Sequence, residues 1–202
     1  MKRPRPPRPP RRERAKAAAG AVVDAAGWHR RATRRKSPNC DDRPPGTRIS
    51  LLVVHGISLP PGRFGGDEVE RLFTNRLDPG AHPYFAGLAD VRVSAHFLIR
   101  RNGALLQFVP CARRAWHAGV SAWQGRERCN DFSIGVELEG TDTRPYTARQ
   151  YERLARLVRA LRSRYPIADL VGHSDIAPGR KTDPGGAFDW PRLHALLRGR
   201  RA

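Results

Sequence analysis

Short apolar runs, separated by turns rich in glycine and proline, recur through the middle of this 202-residue chain. Runs of about four to eight such residues between turn-forming residues are typical of β-strands. The runs that fit are ISLLVV (49–54), VRVSAHFLIRR (91–101), ALLQFVP (104–110), FSIGVELEG (132–140) and ADLVGH (168–173). Asn102-Gly103, between the second and third, favours the left-handed residues of a type I′ turn, so we expect a hairpin there.

Other segments have the residue spacing of helices. They are 67–73, 147–165 and 190–197. The longest begins with a capping box, in which Thr147 and Gln150 satisfy free backbone amides at the helix start, and Pro166 ends it. Because strands and helices mix without a regular βαβ alternation, the sequence predicts a single α/β domain with a mixed β-sheet flanked by helices.

The charge of the chain is large and concentrated at its ends. The formal net charge is +19, of which residues 1–48 carry +11 and residues 191–202 carry +4. A surplus of this size favours nucleic acid or another anionic surface as a partner. No apolar stretch approaches the roughly 20 residues of a membrane span. The three cysteines are too few for a disulfide framework.

The beginning of the chain differs in composition from the rest. Residues 1–26 are basic and rich in proline and alanine, which predicts a disordered extension. An apolar core of about 7–15 residues, as in a secretory signal, does not follow the basic start, and this favours the cytoplasm. We expect one folded domain over 27–198 and a basic tail over 199–202.

Two histidines directly follow predicted strands, and an aspartate comes soon after the second. His55 follows LLVV, His173 follows LVG, and Asp183 lies ten residues further on, after a segment rich in glycine and proline. Two histidines and one carboxylate form a ligand set of catalytic zinc, since a fourth position stays open for water. The spacing alone is weak evidence, because histidines 118 residues apart are more often unrelated.

Three further residues have two interpretations each. Glu137 shares a strand face with Glu139, so either both carboxylates face solvent or Glu137 is a general base. Lys181 is the only lysine after Lys36, which is either chance or a cation that stabilises an oxyanion beside a metal. His117 either packs in the interior or forms a wall of the site.

Long segments of the chain resemble the type 2 N-acetylmuramoyl-L-alanine amidases. These segments are LLVVHGISLPPGRFGG (51–66), DPGAHPYF (78–85), VSAHFLIRRNG (93–103), RAWHAGVSAWQGRERCNDFSIGVELEGTD (114–142) and GHSDIAPGRKTDPG (172–185). The resemblance extends from about residue 27 to about residue 197. It implies the mixed sheet and helices of phage lysozyme amidases and peptidoglycan recognition proteins.

The resemblance also implies a set of site residues. One zinc ion per chain is expected on His55, His173 and Asp183, with Glu137 activating the water and Lys181 assisting the transition state. The implied substrate is a small muropeptide, cut between (1,6-anhydro)-N-acetylmuramic acid and L-alanine during cell-wall recycling. The residues that match substrate-wall positions are Tyr84, Arg92, Trp116 and Arg128; arginine suits peptide carboxylates because its guanidinium can bind them in bidentate fashion.

The resemblance has one departure and leaves rivals open. The family usually has asparagine after the first zinc histidine, where this chain has Gly56. We expect a monomeric enzyme without a specific nucleic-acid partner. Three alternative functions remain: a peptidoglycan-binding module without catalysis, a nucleic-acid-binding protein, and an exported amidase that acts on intact cell wall. The complete ligand set disfavours the first.

Overall fold

The structure is a computed structural model that describes residues 22–199. The strands in this part are β1 Thr33–Arg34, β2 Cys40–Asp42, β3 Leu51–Ile57, β4 Phe97–Ile99, β5 Leu105–Gln107, β6 Arg113–Ala115, β7 Ala122–Trp123, β8 Arg126–Glu127, β9 Ser133–Glu139 and β10 Asp169–Gly172. The helices are α1 Glu68–Phe73, α2 Pro83–Ala86, α3 Ala148–Arg162, α4 His173–Ile176 and α5 Trp190–Arg198, with a 3₁₀ turn at Cys129–Asp131. None of these helices has the length and apolar content to cross a membrane.

Six strands form one mixed sheet in the order β1-β5-β4-β9-β3-β10. Strands β4, β9, β3 and β10 run parallel, while β5 runs antiparallel to β4 and parallel to β1. The pairs β2-β6 and β7-β8 form separate antiparallel ribbons. The predicted mixed sheet is therefore confirmed.

One face of the sheet packs on helices α3 and α5. Its apolar side chains, Val54 and Val136 among them, belong to one buried cluster with Leu154 and Leu193 of the two helices. Because side chains alternate between the faces of a strand, His55 and Glu137 project from the opposite face. The predicted capping box is also confirmed: Thr147 Oγ1 accepts from the Gln150 amide at 3.2 Å, and Gln150 Oε1 accepts from the Thr147 amide at 3.0 Å.

The hairpin between β4 and β5 exists, but its turn is not of type I′. A type I′ turn requires a positive φ at both central residues. Gly103 has a φ of 83°, whereas the φ of Asn102 is not positive. The Asn102 side chain instead accepts from the Ala104 amide at 2.9 Å. This local side-chain bond stabilises a longer turn that ends in a left-handed glycine.

Ordered packing begins before the predicted domain boundary at residue 27. Val23 is 3% exposed and lies in the main apolar cluster, and it forms a β-bridge with His29. Asp24 Oδ1 accepts from the Trp28 amide at 2.8 Å. Residues 22–26 therefore belong to the packed domain, while the rest of the predicted extension and the last three residues of the basic tail lie outside the described residues.

Candidate metal centre and active site

Three candidate site residues lie near the carboxyl ends of neighbouring parallel strands. The prediction that His55 directly follows its strand is wrong, because β3 continues to Ile57. β3 lies between β9 and β10. His55 on β3 pairs in register with Glu137 on β9, and Val54 pairs with Gly172, so that His173 follows directly beside His55. Open sheets with parallel strands place ligands at this edge. The sheet register thus brings together residues that are far apart in the sequence.

His55, His173 and Asp183 direct their ligand atoms at one point. The two Nδ1 atoms are 3.0 Å apart, Asp183 Oδ2 lies 3.2 Å from Nδ1 of His55, and Asp183 Oδ1 lies 3.1 Å from Nδ1 of His173. Tetrahedral zinc, with bonds of about 2.0–2.2 Å, separates its donor atoms by about 3.3–3.5 Å. The donor set and its spacing therefore fit such an ion.

The electrostatics favour the metal-binding forms of His55 and Asp183. Burial lowers the pKa of His55 to about 4, although the hydrogen bond to Asp183 opposes that change. Burial opposes ionisation of Asp183, but hydrogen bonds to His173 and His55 outweigh it and lower the pKa of the carboxyl well below its usual range. A neutral imidazole and a carboxylate are the forms that coordinate a metal.

The far nitrogen of each ligand histidine also has a partner. His55 Nε2 lies 2.9 Å from Nδ1 of His117, and His173 Nε2 lies 3.2 Å from the carbonyl oxygen of Ala118. Contacts of this kind fix the orientation and tautomer of ligand imidazoles.

Glu137 and Glu139 share a face of β9 but have different surroundings. Glu137 is 8% exposed, and its Oε2 has no hydrogen-bond partner among the described residues. Burial raises the pKa of Glu137 well above its usual value; Asp183 adds to this rise and Lys181 opposes it. Glu139 is 4% exposed and accepts from Arg100 Nη1 at 2.7 Å. The interpretation that both carboxylates face solvent is therefore wrong.

A cleft of about 560 Å³ joins seven of the nine predicted site residues. These are His55, His173, Asp183, Glu137, Lys181, Tyr84 and Trp116. Lys181 is exposed and Tyr84 is half-exposed, so both are open to a ligand. Arg92 lines an adjoining cavity of about 250 Å³ with Trp116 and Lys181.

Arg128 lies apart from this cleft. Its Nε is 3.3 Å from Asp131 Oδ2, and it lines a separate cavity of about 550 Å³ with Arg180. Its predicted role in substrate binding stays a prediction.

Tyr146 is a neighbour of the site that the sequence pattern does not mark. Its hydroxyl donates to the carbonyl oxygen of Pro184 at 2.9 Å, directly after Asp183. A Cβ at position 56 would overlap this hydroxyl. Gly56 therefore leaves room for Tyr146 in this chain. In the sequence, Tyr146 is marked only by its position directly before the capping box, and that position does not predict a place beside the site.

Comparisons with known proteins agree with this geometry. A family model described as N-acetylmuramoyl-L-alanine amidase matches residues 45–186. The 1,6-anhydro-N-acetylmuramyl-L-alanine amidase AmpD of Citrobacter freundii is 61% identical over 173 residues, which cover 85% of this chain and 92% of that protein. AmpD of Escherichia coli K12 is 60% identical over 173 residues, or 85% of this chain and 94% of that protein.

Solved structures are similar as well. The crystal structure of a selenomethionine derivative of AmpD has a TM-score of 0.84 at 61% identity and covers 87% of this chain and 98% of its own. E. coli AmiD in complex with the substrate anhydro-N-acetylmuramic acid-L-Ala-D-γ-Glu-L-Lys has a TM-score of 0.55 at 30% identity, over 86% of this chain and 65% of its own. The chain therefore belongs to the N-acetylmuramoyl-L-alanine amidase family.

Proposed function

We propose that the chain is a zinc-dependent amidase that hydrolyses the bond between (1,6-anhydro)-N-acetylmuramic acid and L-alanine in small muropeptides. The observation that carries the proposal is one cleft that holds both a three-donor ligand cluster and an unpartnered buried carboxylate oxygen, Glu137 Oε2. A cluster without the base would lack an acceptor for the proton of the attacking water. A base without the cluster would lack a Lewis acid.

His55, His173 and Asp183 would hold the zinc ion. When bound, zinc lowers the pKa of water to about 7 and polarises the amide carbonyl. The two histidine Nδ1 atoms and Asp183 Oδ2 lie 3.0–3.2 Å from one another, so one ion could bind all three. Three protein donors leave a position open, as in catalytic rather than structural zinc sites.

Glu137 acts as the general base and then as the general acid. Its Oε2 accepts a proton from the attacking water, and the protonated carboxyl later donates that proton to the leaving alanine nitrogen. Burial raises the pKa of Glu137 well above its usual value, so its carboxyl holds the transferred proton better than an ordinary glutamate does.

Lys181 stabilises the charge that develops on the amide oxygen. It lines the cleft with Glu137 and Asp183 and is exposed, so its ammonium can approach a bound substrate. A fixed cation at a developing oxyanion strengthens binding in the transition state more than in the ground state.

The substrate lies along the wall of the cleft. Tyr84 and Trp116 offer apolar faces to the sugar, and Arg92 in the adjoining cavity suits a stem-peptide carboxylate. We propose the anhydro sugar as the substrate and a role in cell-wall recycling, because the chain is about 60% identical to proteins named 1,6-anhydro-N-acetylmuramyl-L-alanine amidases. We also propose that the protein is a monomer in the cytoplasm.

The experiment that tests this function compares substrates on the purified, zinc-loaded chain. Anhydro-muropeptide and intact sacculi are incubated with the enzyme, and the release of peptides with a free L-alanine amine is measured. We expect rapid cleavage of the anhydro-muropeptide and little of the sacculi. Preferred cleavage of sacculi would favour the exported cell-wall amidase, and cleavage of neither would contradict the proposed activity.

A further inference from the structure

Two consecutive residues contact both ligand histidines from the side away from the metal position. His117 Nδ1 lies 2.9 Å from His55 Nε2, and the carbonyl oxygen of Ala118 lies 3.2 Å from His173 Nε2. The rings of His55 and His117 meet edge to face, with centroids 5.0 Å apart. The short segment 117–118 therefore touches two of the three candidate ligands.

The hydrogen bonds along this contact have only one consistent direction. If His55 offers the lone pair of Nδ1 to a metal, its proton is on Nε2, which then donates to Nδ1 of His117. His117 consequently has its own proton on Nε2, which lies 3.1 Å from Ser133 Oγ and donates to that oxygen. The chain from Ser133 through His117 to His55 thus selects one tautomer of each ring.

The position of the His117 ring is closely determined by its surroundings. A Cβ at Gly135 would lie 2.5 Å from the ring, so the glycine is needed for the ring to fit. Asn130 Oδ1 accepts from the amides of His117 at 3.1 Å and Ala118 at 2.9 Å. Arg180 Nη2 donates to the Ala118 carbonyl oxygen at 2.6 Å. Neither the ring nor the backbone of the segment is free to turn away from the ligands.

We propose that His117 is a positioning residue, which holds His55 in the tautomer and orientation that bind the metal. The proposal rests on the proposed metal site and adds a residue to it. His117 itself offers no lone pair to the metal, because its Nδ1 accepts from His55 and its Nε2 donates to Ser133. Its effect on the reaction is exerted through His55.

The test compares two replacements of nearly equal shape. His117→Asn retains an acceptor oxygen near the position of Nδ1, whereas His117→Leu has no acceptor. The dissociation constant for zinc is measured by competition with a chromophoric chelator. Loss of a hydrogen bond to a ligand histidine lowers metal affinity by about 10–100-fold, so we expect that loss in His117→Leu and a change below about threefold in His117→Asn.

A buried histidine elsewhere in the domain provides a matched control. His29 is 5% exposed and contacts Arg31 and Phe97 rather than a ligand residue. His29→Leu should bind zinc with the parental affinity. The unfolding midpoint of each metal-free variant separates loss of folding from loss of positioning.

The outcomes are distinguishable. Equal zinc affinity in His117→Asn and His117→Leu, whether parental or weakened, would overturn the proposal. An increase in KM with unchanged zinc affinity would overturn it too and would mark His117 as a substrate contact. If the parental chain bound no zinc, the proposed function would fail before this inference was reached.

A spectroscopic measurement keeps the proposal open to refutation if His117→Leu does not fold. In the zinc-loaded parental chain, nitrogen NMR should show His55 protonated on Nε2, with a slowly exchanging proton. Ser133→Ala removes the acceptor at the other end of the chain of hydrogen bonds, and it should accelerate that exchange and weaken zinc binding. A His55 proton on Nδ1, or parental exchange in Ser133→Ala, would contradict the proposal.

Discussion

His55 and Glu137 are direct cross-strand neighbours in the parallel pair of β3 and β9. Neighbouring strands lie about 4.8 Å apart, and paired residues project from the same face. The sheet itself therefore fixes a candidate metal ligand beside a candidate base, without help from a loop. A rigid scaffold of this kind favours catalysis, because the reacting groups are held in position before the substrate binds.

Glu137 and Glu139 allow a test of catalysis against structure within one strand. We expect Glu137→Gln to retain zinc but to lower kcat by about 10²–10⁴-fold, since the amide cannot accept the proton of the attacking water. Zinc content and kcat are measured on the same preparations. Parental kcat in Glu137→Gln would remove the proposed base.

The matched replacement is Glu139→Gln. It loses the charge partner of Arg100, at 2.7 Å in the parental chain, in a buried position. We expect lower stability by about 1–3 kcal/mol with nearly unchanged kcat at a temperature where the protein is folded. A kcat loss as large as that of Glu137→Gln would mean that the strand, rather than the Glu137 carboxylate, is responsible.

Gly56 and Tyr146 should be energetically coupled. A Cβ at position 56 would overlap the Tyr146 hydroxyl, whereas it would lie 3.6 Å from the ring carbon that bears it. Gly56→Ala should therefore cost about 1–3 kcal/mol of unfolding free energy by overpacking. In the Tyr146→Phe background the same substitution should cost clearly less, because the hydroxyl is absent.

Urea unfolding of the four proteins in this cycle measures the coupling. Tyr146→Phe alone loses the hydrogen bond to the Pro184 carbonyl oxygen, which contributes about 0.5–1.5 kcal/mol. If the losses of unfolding free energy for Gly56→Ala and Tyr146→Phe were strictly additive, Gly56 would not be needed to accommodate the tyrosine.

Local sequence signals predict much of this fold. The strand that carries His55 and the strand that ends before His173 follow from apolar runs, although β3 continues past His55 to Ile57. The helix start at Thr147 follows from its capping box. The mixed sheet follows from the irregular order of strands and helices. Each of these signals depends on neighbours within a few residues, which a single sequence displays directly.

The features that the sequence does not predict depend on tertiary contacts. The register that pairs His55 with Glu137 is decided by the packing of two distant strands, and no local pattern encodes it. The hydrogen bond from His55 Nε2 to His117 Nδ1 requires a loop to return to the sheet. The sequence pattern places Val23 in an alanine-rich extension, whereas the structure buries it against the core.

Arg43 should be a main contributor to stability. Its guanidinium lies 2.7 Å from the carbonyl oxygen of Asp131, 2.8 Å from that of Ser133 and 3.0 Å from Nε2 of His96, and burial lowers its pKa to about 10. Arg43→Met leaves the carbonyl oxygens of Asp131 and Ser133 without this donor, which should cost about 2–4 kcal/mol. Arg48 is exposed, so Arg48→Met should change the unfolding free energy by less than about 0.5 kcal/mol.

Two truncations separate the basic N-terminus from the packed domain. Deletion of residues 1–21 removes a net charge of +7, so we expect weaker DNA binding at low salt with unchanged amidase activity. Deletion of residues 1–26 also removes Val23, whose burial contributes about 1.5–3 kcal/mol, and should lower the unfolding midpoint. Equal midpoints for the two truncations would contradict the structural role of Val23.

The most direct test of the central claim is a metal measurement on the parental chain. The protein is analysed for bound metal, treated with a chelator, assayed, and assayed again after zinc is restored. We predict one zinc ion per chain, loss of amidase activity with the metal, and recovery with zinc, and we predict that Asp183→Ala retains neither metal nor activity. Full activity in the metal-free chain would contradict the account.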